Sequence, residues 1–377
     1  MELKISQELI RQGIEEGHHI GAQLSVAVGK SSERIEANFS FGEANKGVPM
    51  VHDSLCLWMS SSKPIGAVAM AQLWERDLFS LDDEVAKYWP EFGQNGKESI
   101  TIRQLLTHTG GFRLADQAIH CPNMKEALEQ VAAAPKEPRW QSGRKAGYHT
   151  SGSWMALGEI VHRLDGRPYQ QYVREEIFKP LGMKNCWIGV PEEQINRYGD
   201  QMAVMHVTAN GKCEPHDKLE RSWEISLPKP GSHGRGPARE LRLFYDMLIQ
   251  GGRLGDARIL EPTTVEAITA AHRIGMIDHT FRYKIDMGLG FIRQSIHYGE
   301  LDVAYGFGAY ASGRTFGHGG AESSLGFADP DFDLTGVFLF NGMAGDAVHQ
   351  KRARTLIEAI YKDLELVQED GLAAYSI

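Results

Sequence analysis

Residues alternate apolar and polar with period two near both ends of this chain, and the long stretch between reads mainly as helix. Ala22-Gln-Leu-Ser-Val-Ala-Val-Gly29 and Arg34-Ile-Glu-Ala-Asn-Phe-Ser-Phe41 alternate as half-buried strands do. The break from Gly29 to Glu33 predicts an antiparallel hairpin between them. The strand pattern returns around Phe316, at Gly326–Ala328 and at Gly336–Phe340, where Val337-Phe-Leu-Phe340 is the strongest strand signal. Strands at both ends can share one sheet only if the ends meet in space. The expectation is a sheet built from the two termini around a helical insertion.

Helical patterns cover 3–17, with Ile5, Leu9 and Ile14 on one side, and Ser60 to Asp77, rich in Ala, Met and Leu. Shorter windows fall at 101–107, 124–133, 151–164, 168–178 and 237–250. At the end, Leu356, Ile360 and Leu364 form a stripe beside Ala353, Ile357 and Tyr361. This reads as an α/β (α+β) fold in one domain, residues 1–377. Its sheet lobe spans about 1–75 and 290–377, and its helical lobe about 76–289.

The 377 residues, 42% hydrophobic, suffice for a sizeable core. A net charge of −9 argues against a nucleic-acid partner, which would meet a basic face. No apolar run reaches the 18 or so residues a membrane helix needs. The opening MELKISQELIRQGIEEGHH has early acids and no apolar h-region, and the four cysteines are scattered. These features predict free thiols, a cytoplasmic location and a small-molecule partner.

Three segments could carry chemistry. In Met59-Ser-Ser-Ser-Lys63, Ser60 and Lys63 stand three apart at a helix start, so their side chains can meet. A serine hydroxyl becomes a nucleophile when a neighbour takes its proton, and a desolvated lysine can do so. Ser61 and Ser62 have no lysine three positions on. The plainer alternative for this segment is capping serines beside a solvated lysine. Tyr148, in Gly147-Tyr-His-Thr-Ser151, can act as a general base if cations stabilise its phenolate; otherwise it is a packed ring. Phe316-Gly-His-Gly-Gly-Ala321 offers bare backbone that a substrate could approach, or simply a turn.

These segments occur in a recognisable order with Phe79-Ser-Leu-Asp-Asp83, Leu105-Leu-Thr-His-Thr-Gly-Gly111, Pro180-Leu-Gly-Met183 and Gly251-Gly-Arg253. Along nearly its whole length the chain resembles the serine β-lactamase-related hydrolases, the class C β-lactamase-like group of carboxylesterases, DD-peptidases and acyltransferases. The resemblance implies an antiparallel sheet flanked by helices, a mainly helical second lobe and an active site in the cleft between them. It implies Ser60 as the acyl-forming nucleophile, Lys63 as its helical partner and Tyr148 as the base. It places His318, Gly319 and Gly320 along the substrate, with the backbone N–H groups of Ser60 and Ala321 as the oxyanion hole. No cofactor or metal is implied. The expected partner is a small ester or acyl donor, with water, an alcohol or an amine as acceptor. The leading reading is therefore a serine carboxylesterase. The alternatives are a biosynthetic acyltransferase, a β-lactamase or D-amino-acid peptidase, and a non-catalytic ligand-binding protein of the same fold.

Two positions depart from the class C pattern. Thr150 stands where asparagine is usual, and His318 where lysine is usual. A neutral histidine anchors a substrate carboxylate less well than lysine, which tilts the reading toward esters. Among other candidates, His108 reads as a buried structural histidine and His149 as a cleft or surface residue. Glu322 reads as a solvated acid or a contact for an amine-bearing substrate. Gly231–Gly236 reads as a cleft-edge loop, and Trp140, Trp154 and Trp187 as core or cleft wall.

Overall fold

A computed structural model describes residues 1–30, 33–299 and 303–367. The elements that position the site are α1 (Lys4–Glu15), β1 (Gly21–Val28), β2 (Ile35–Asn45), β3 (Val48–Pro49), α2 (Lys63–Glu75), α3 (Gly152–Asp165), α4 (Ala238–Ile249), β4 (Ile292–Arg293), β5 (Phe316–Gly320), β6 (Ser324–Asp329), β7 (Leu334–Phe340) and α5 (Asp346–Asp363). Seven strands form one sheet in the order β4-β5-β6-β7-β1-β2-β3, and every neighbouring pair is antiparallel. The two ends of the chain meet where β1 pairs β7, from Ala22 opposite Phe340 to Val28 opposite Leu334. The hairpin of β1 and β2 pairs Val26 with Ala37, and residues 31 and 32 of its turn lie outside the described residues. So does the tail of the sheet lobe beyond residue 367.

Alternation decides what each sheet face touches. Ala22, Leu24, Val26, Phe338 and Phe340 share a core with Ile10 of α1 and Leu356, Ile357 and Ile360 of α5. Val337 and Leu339, on the other face, share a core with Leu241, Phe244 and Tyr245 of α4. β1 is therefore covered on both faces rather than half-buried. Its polar positions face α4 and are satisfied there: Gln23 accepts from Ala238 N at 2.8 Å, and Arg242 Nε donates to Ser25 Oγ at 2.8 Å. Such bonds let polar side chains be buried without an unmet partner.

Two sequence expectations change. The 76–289 stretch is not wholly a helical lobe, because α4 packs on β1, β6 and β7. Conversely α2, assigned to the sheet lobe, packs mainly on α3 and other helices of the inserted region. It is buried all round from Lys63 to Leu73, which explains a sequence with no polar stripe. In α1 the buried residues are Ser6, Ile10 and Gly13, while Ile5 is exposed. Ser6 turns inward because Asp363 of α5 accepts from both its N–H and its hydroxyl, each at 2.8 Å. All four cysteines are free. Among the described residues no helix is long and apolar enough to cross a membrane.

Candidate active site

Helix α2 is preceded by a tight turn, Met59–Ser62, entered through Met59 in the left-handed region at φ 47°. The three serines of this turn have different fates. Ser61 Oγ donates to His318 O at 2.9 Å and lies 2.9 Å from Ser324 Oγ, tying the turn to β5 and β6. Ser62 Oγ donates to Met59 O at 2.7 Å and accepts from Gly234 N at 3.0 Å. Only Ser60, 8% exposed, presents its hydroxyl to a lysine, with Lys63 Nζ 2.8 Å from its Oγ. Neither capping nor solvation accounts for this cluster.

Lys63 is wholly buried, and its other hydrogen bonds go to the carbonyls of Thr150 (2.9 Å) and Gly231 (3.0 Å). Among the described residues no carboxylate hydrogen-bonds it. Burial lowers its pKa to about 7, against a weaker opposing pull from Asp116. Neutral amine is therefore abundant near neutral pH. The Gly231–Gly236 segment, expected as a cleft-edge loop, is partly a strand. Its residues are buried, and Gly234–Gly236 forms a strand between Cys56–Leu57 and Trp187–Ile188. It walls the lysine in, with Gly231 pressed against the buried Trp154.

Tyr148 comes from the loop before α3 and reaches the same point. Its pKa is raised well above 10, first by burial and then by Tyr305, while a hydrogen bond with Ser60 opposes the rise. Its hydroxyl lies 3.5 Å from His318 Nε2. His318 Nδ1 sits 2.7 Å from Gly319 O, an acceptor, so Nδ1 carries the proton and Nε2 offers its lone pair to the phenol. Burial, with Lys63 adding to it, lowers the His318 pKa to about 3. The imidazole is neutral at pH 7. Burial thus favours the protonated phenol.

Strand β5 supplies the remaining wall. A Cβ on Gly320 would strike Trp58 O and Ser324 Oγ, so only glycine lets the strand end pass the Ser60 turn this closely. Ala321 follows immediately, which puts its backbone N–H at the serine's end of the strand.

The other sequence candidates are placed as follows. Thr150 is exposed and serves through its backbone, its N–H going to Asp116 Oδ2 at 2.9 Å and its carbonyl to Lys63. His149 is wholly buried behind Tyr148 rather than lining a cleft, with its N–H on His108 Nδ1 at 2.9 Å. His108 is buried and stacks on the Tyr148 ring at 4.5 Å. Glu322 is half-buried. Its carboxylate accepts from Gly345 N, and its carbonyl accepts from Arg352 Nη2 at 2.7 Å. Trp140 and Trp154 are buried, and Trp187 is half-buried beneath the Arg174 guanidinium at 4.2 Å.

Sequence reasoning missed Asp116 and Asp278. Asp116 accepts the N–H groups of Thr150, Ser151 and Gly152 and so anchors the start of α3. Asp278 accepts from Tyr148 N through Oδ1 at 3.0 Å and pairs through Oδ2 with the buried Arg273 at 3.1 Å. Both act on backbone groups far away in the chain, so no local motif marks them.

The chain is similar to known proteins along most of its length. Residues 7–360 match the family model described as Beta-lactamase. The Esterase/beta-lactamase LipL of Mycobacterium tuberculosis is 22% identical over 80% of this chain and 72% of its own. An Escherichia coli K12 protein named as a D-alanyl-D-alanine carboxypeptidase is 25% identical over 72% of this chain and 65% of its own. Among solved structures, a penicillin-binding protein homologue from Caulobacter crescentus superposes with a TM-score of 0.77 at 27% identity, covering 96% of this chain and 97% of that one. A family VIII carboxylesterase superposes at 0.78 with 25% identity, over 96% and 97% of the two chains. By sequence match from residue 7 to residue 360 and by fold, the chain belongs to the beta-lactamase family.

Proposed function

We propose that this protein is a serine carboxylesterase working through an acyl-enzyme on Ser60. The observation that carries the reading is the Ser60–Lys63 pair, a hydroxyl 2.8 Å from a buried amine whose pKa lies at about 7. A catalytic base works best with a pKa near the operating pH. The family resemblance implies Tyr148 as base; burial raises its pKa well above 10, which supports neutral Lys63 as the group that takes the serine proton.

Ser60 Oγ attacks the ester carbonyl while its proton passes to Lys63. The oxyanion faces the N–H groups of Ser60 and Ala321. The Tyr148 phenol gives its proton to the departing alcohol oxygen, and the Lys63 ammonium, 5.2 Å from the Tyr148 ring centroid, returns a proton to the phenolate. Water then attacks the acyl carbonyl and gives a proton to neutral Lys63, and the ammonium passes it to Ser60 Oγ as the acyl C–Oγ bond breaks, which releases the acid and restores Ser60.

His318 favours esters over β-lactams. Being neutral, it offers no cation to a substrate carboxylate. Intact-mass measurement after adding a short-chain nitrophenyl ester or a fluorophosphonate tests the assignment. One acyl or phosphonyl adduct is expected in the native protein and none in Ser60→Ala. An adduct that persists in Ser60→Ala overturns it.

A further inference from the structure

The mechanism fixes where the leaving alcohol must lie. Its oxygen receives the Tyr148 proton, so the alcohol sits on the side of Tyr148 and His318, away from the oxyanion N–H groups. Four rings contact Tyr148 among the described residues: His108, Phe281, Tyr305 and His318. The two histidines are buried, whereas Phe281 and Tyr305 keep part of their surface open. Phe281 lies 4.7 Å from the Tyr148 ring centroid, and Tyr305 lies 5.4 Å from that of His318. The two meet edge-on at 5.7 Å.

Two further observations set Tyr305 apart. Its backbone is held in the left-handed region at φ 61°, costly for an aromatic residue and a recurrent feature of ligand-binding positions. Its ring also lies against bare strand: a Cβ on Gly319 would strike Cδ1 and stand 2.8 Å from Cγ. The chain thus places a strained aromatic over the glycine strand, beside the group that protonates the leaving oxygen.

We propose that Tyr305 and Phe281 wall a leaving-group subsite that selects esters of flat aromatic alcohols. The proposal rests on the carboxylesterase reading above and adds the substrate class. In the step concerned the acyl C–O bond breaks, the Ser60 Oγ–C bond forms, and the aromatic alcohol leaves with the Tyr148 proton. Perpendicular rings suit edge and face contacts with a planar guest, which favour it about two- to tenfold over a saturated ring of similar size.

The test compares benzyl butyrate with cyclohexylmethyl butyrate, whose alcohols are alike in size. Native enzyme should favour the benzyl ester in kcat/KM by about two- to tenfold. The ratio should fall toward one in Tyr305→Leu and in Phe281→Leu, and persist in Tyr305→Phe. Benzyl alcohol should inhibit methyl-ester hydrolysis more strongly than cyclohexylmethanol, a reading that needs no variant. A native ratio at or below one, equal inhibition by the two alcohols, or a ratio unmoved by both leucine variants overturns the aromatic wall and leaves the esterase assignment standing. Absence of Ser60-dependent turnover of either ester overturns both.

Discussion

Lys63 and Lys229 are both wholly buried, and the turn from Lys229 to Gly231 brings them to the same part of the fold. Their surroundings differ in one respect. Lys229 Nζ lies 2.7 Å from Glu224 Oε1 and 2.8 Å from Ile119 O. Burial lowers its pKa, but Glu224 pulls the other way. Although burial pushes Glu224 up, hydrogen bonds from His233 and Lys229 hold its carboxyl down to about 2. That corner is a buried ion pair, and it ties the wall of the site to Ile119. Among the described residues Lys63 hydrogen-bonds a hydroxyl and two carbonyls and no carboxylate, so burial acts on it almost unopposed. Lys97 completes the comparison. It donates to the carbonyls of Gln94, Ala132 and Ala134 and is lowered to about 8, yet no hydroxyl faces it. A depressed lysine is therefore not a site. The hydrogen bond with Ser60 is what sets Lys63 apart.

The difference can be broken from either side. Ser60→Ala should have the largest effect, a loss in kcat of about 10⁶-fold, measured with a nitrophenyl ester. Lys63→Met should lower kcat by about 10²–10⁴-fold, as loss of a general base does, with a far smaller change in thermal midpoint. The same substitution at Lys97 should affect folding rather than ester turnover. If Lys97→Met and Lys63→Met lowered kcat alike, the serine contact would not be what distinguishes them. Glu224→Gln should destabilise by about 3–5 kcal/mol in chemical denaturation, because it strands the Lys229 ammonium in the interior. The double variant Glu224→Gln/Lys229→Met should recover much of that loss. A Glu224→Gln protein as stable as the native one would mean that the pair carries no structural weight.

Much of this arrangement was legible in the sequence, and the rest failed for identifiable reasons. The period-two runs located β1, β2 and β7, and the i, i+3 spacing picked Ser60 from three adjacent serines, because both signals are local geometry. Burial of β1 on both faces was not legible. Gln23 and Ser25 look like solvent positions until Ala238 and Arg242 arrive from more than 200 residues away. The place of α4 was hidden for the same reason, since an amphipathic helix does not say which surface it will cover. Tyr148 could be named as a participant, but its protonation state depends on burial, on Tyr305 and on the tautomer of His318, all set by tertiary contacts. Asp116 and Asp278 carry no spacing signal, because each holds backbone N–H groups.

The smallest expected effect is the pH response, and it separates the chemistry of the site from its stability. If neutral Lys63 is the base, kcat/KM should rise with pH through about 7 and fall about tenfold per unit below it. The folded-state pKa of Lys63 lies below its unfolded value of 10.5, so the folded chain holds fewer protons between about 7 and 10.5. In that window the lysine makes stability rise with pH, and below about 7 its unfavourable contribution is complete. His318 behaves alike but lower: pushed from 6.5 to about 3, it makes stability decline as pH falls from 6.5 toward 3. Between pH 7 and 6.5 activity should therefore drop while His318 contributes no loss of stability. Rate profiles and denaturation midpoints taken on the same samples check this. An activity limb that follows the unfolding limb would point to His318 and the packing around it, and would remove Lys63 as the group whose proton sets the rate.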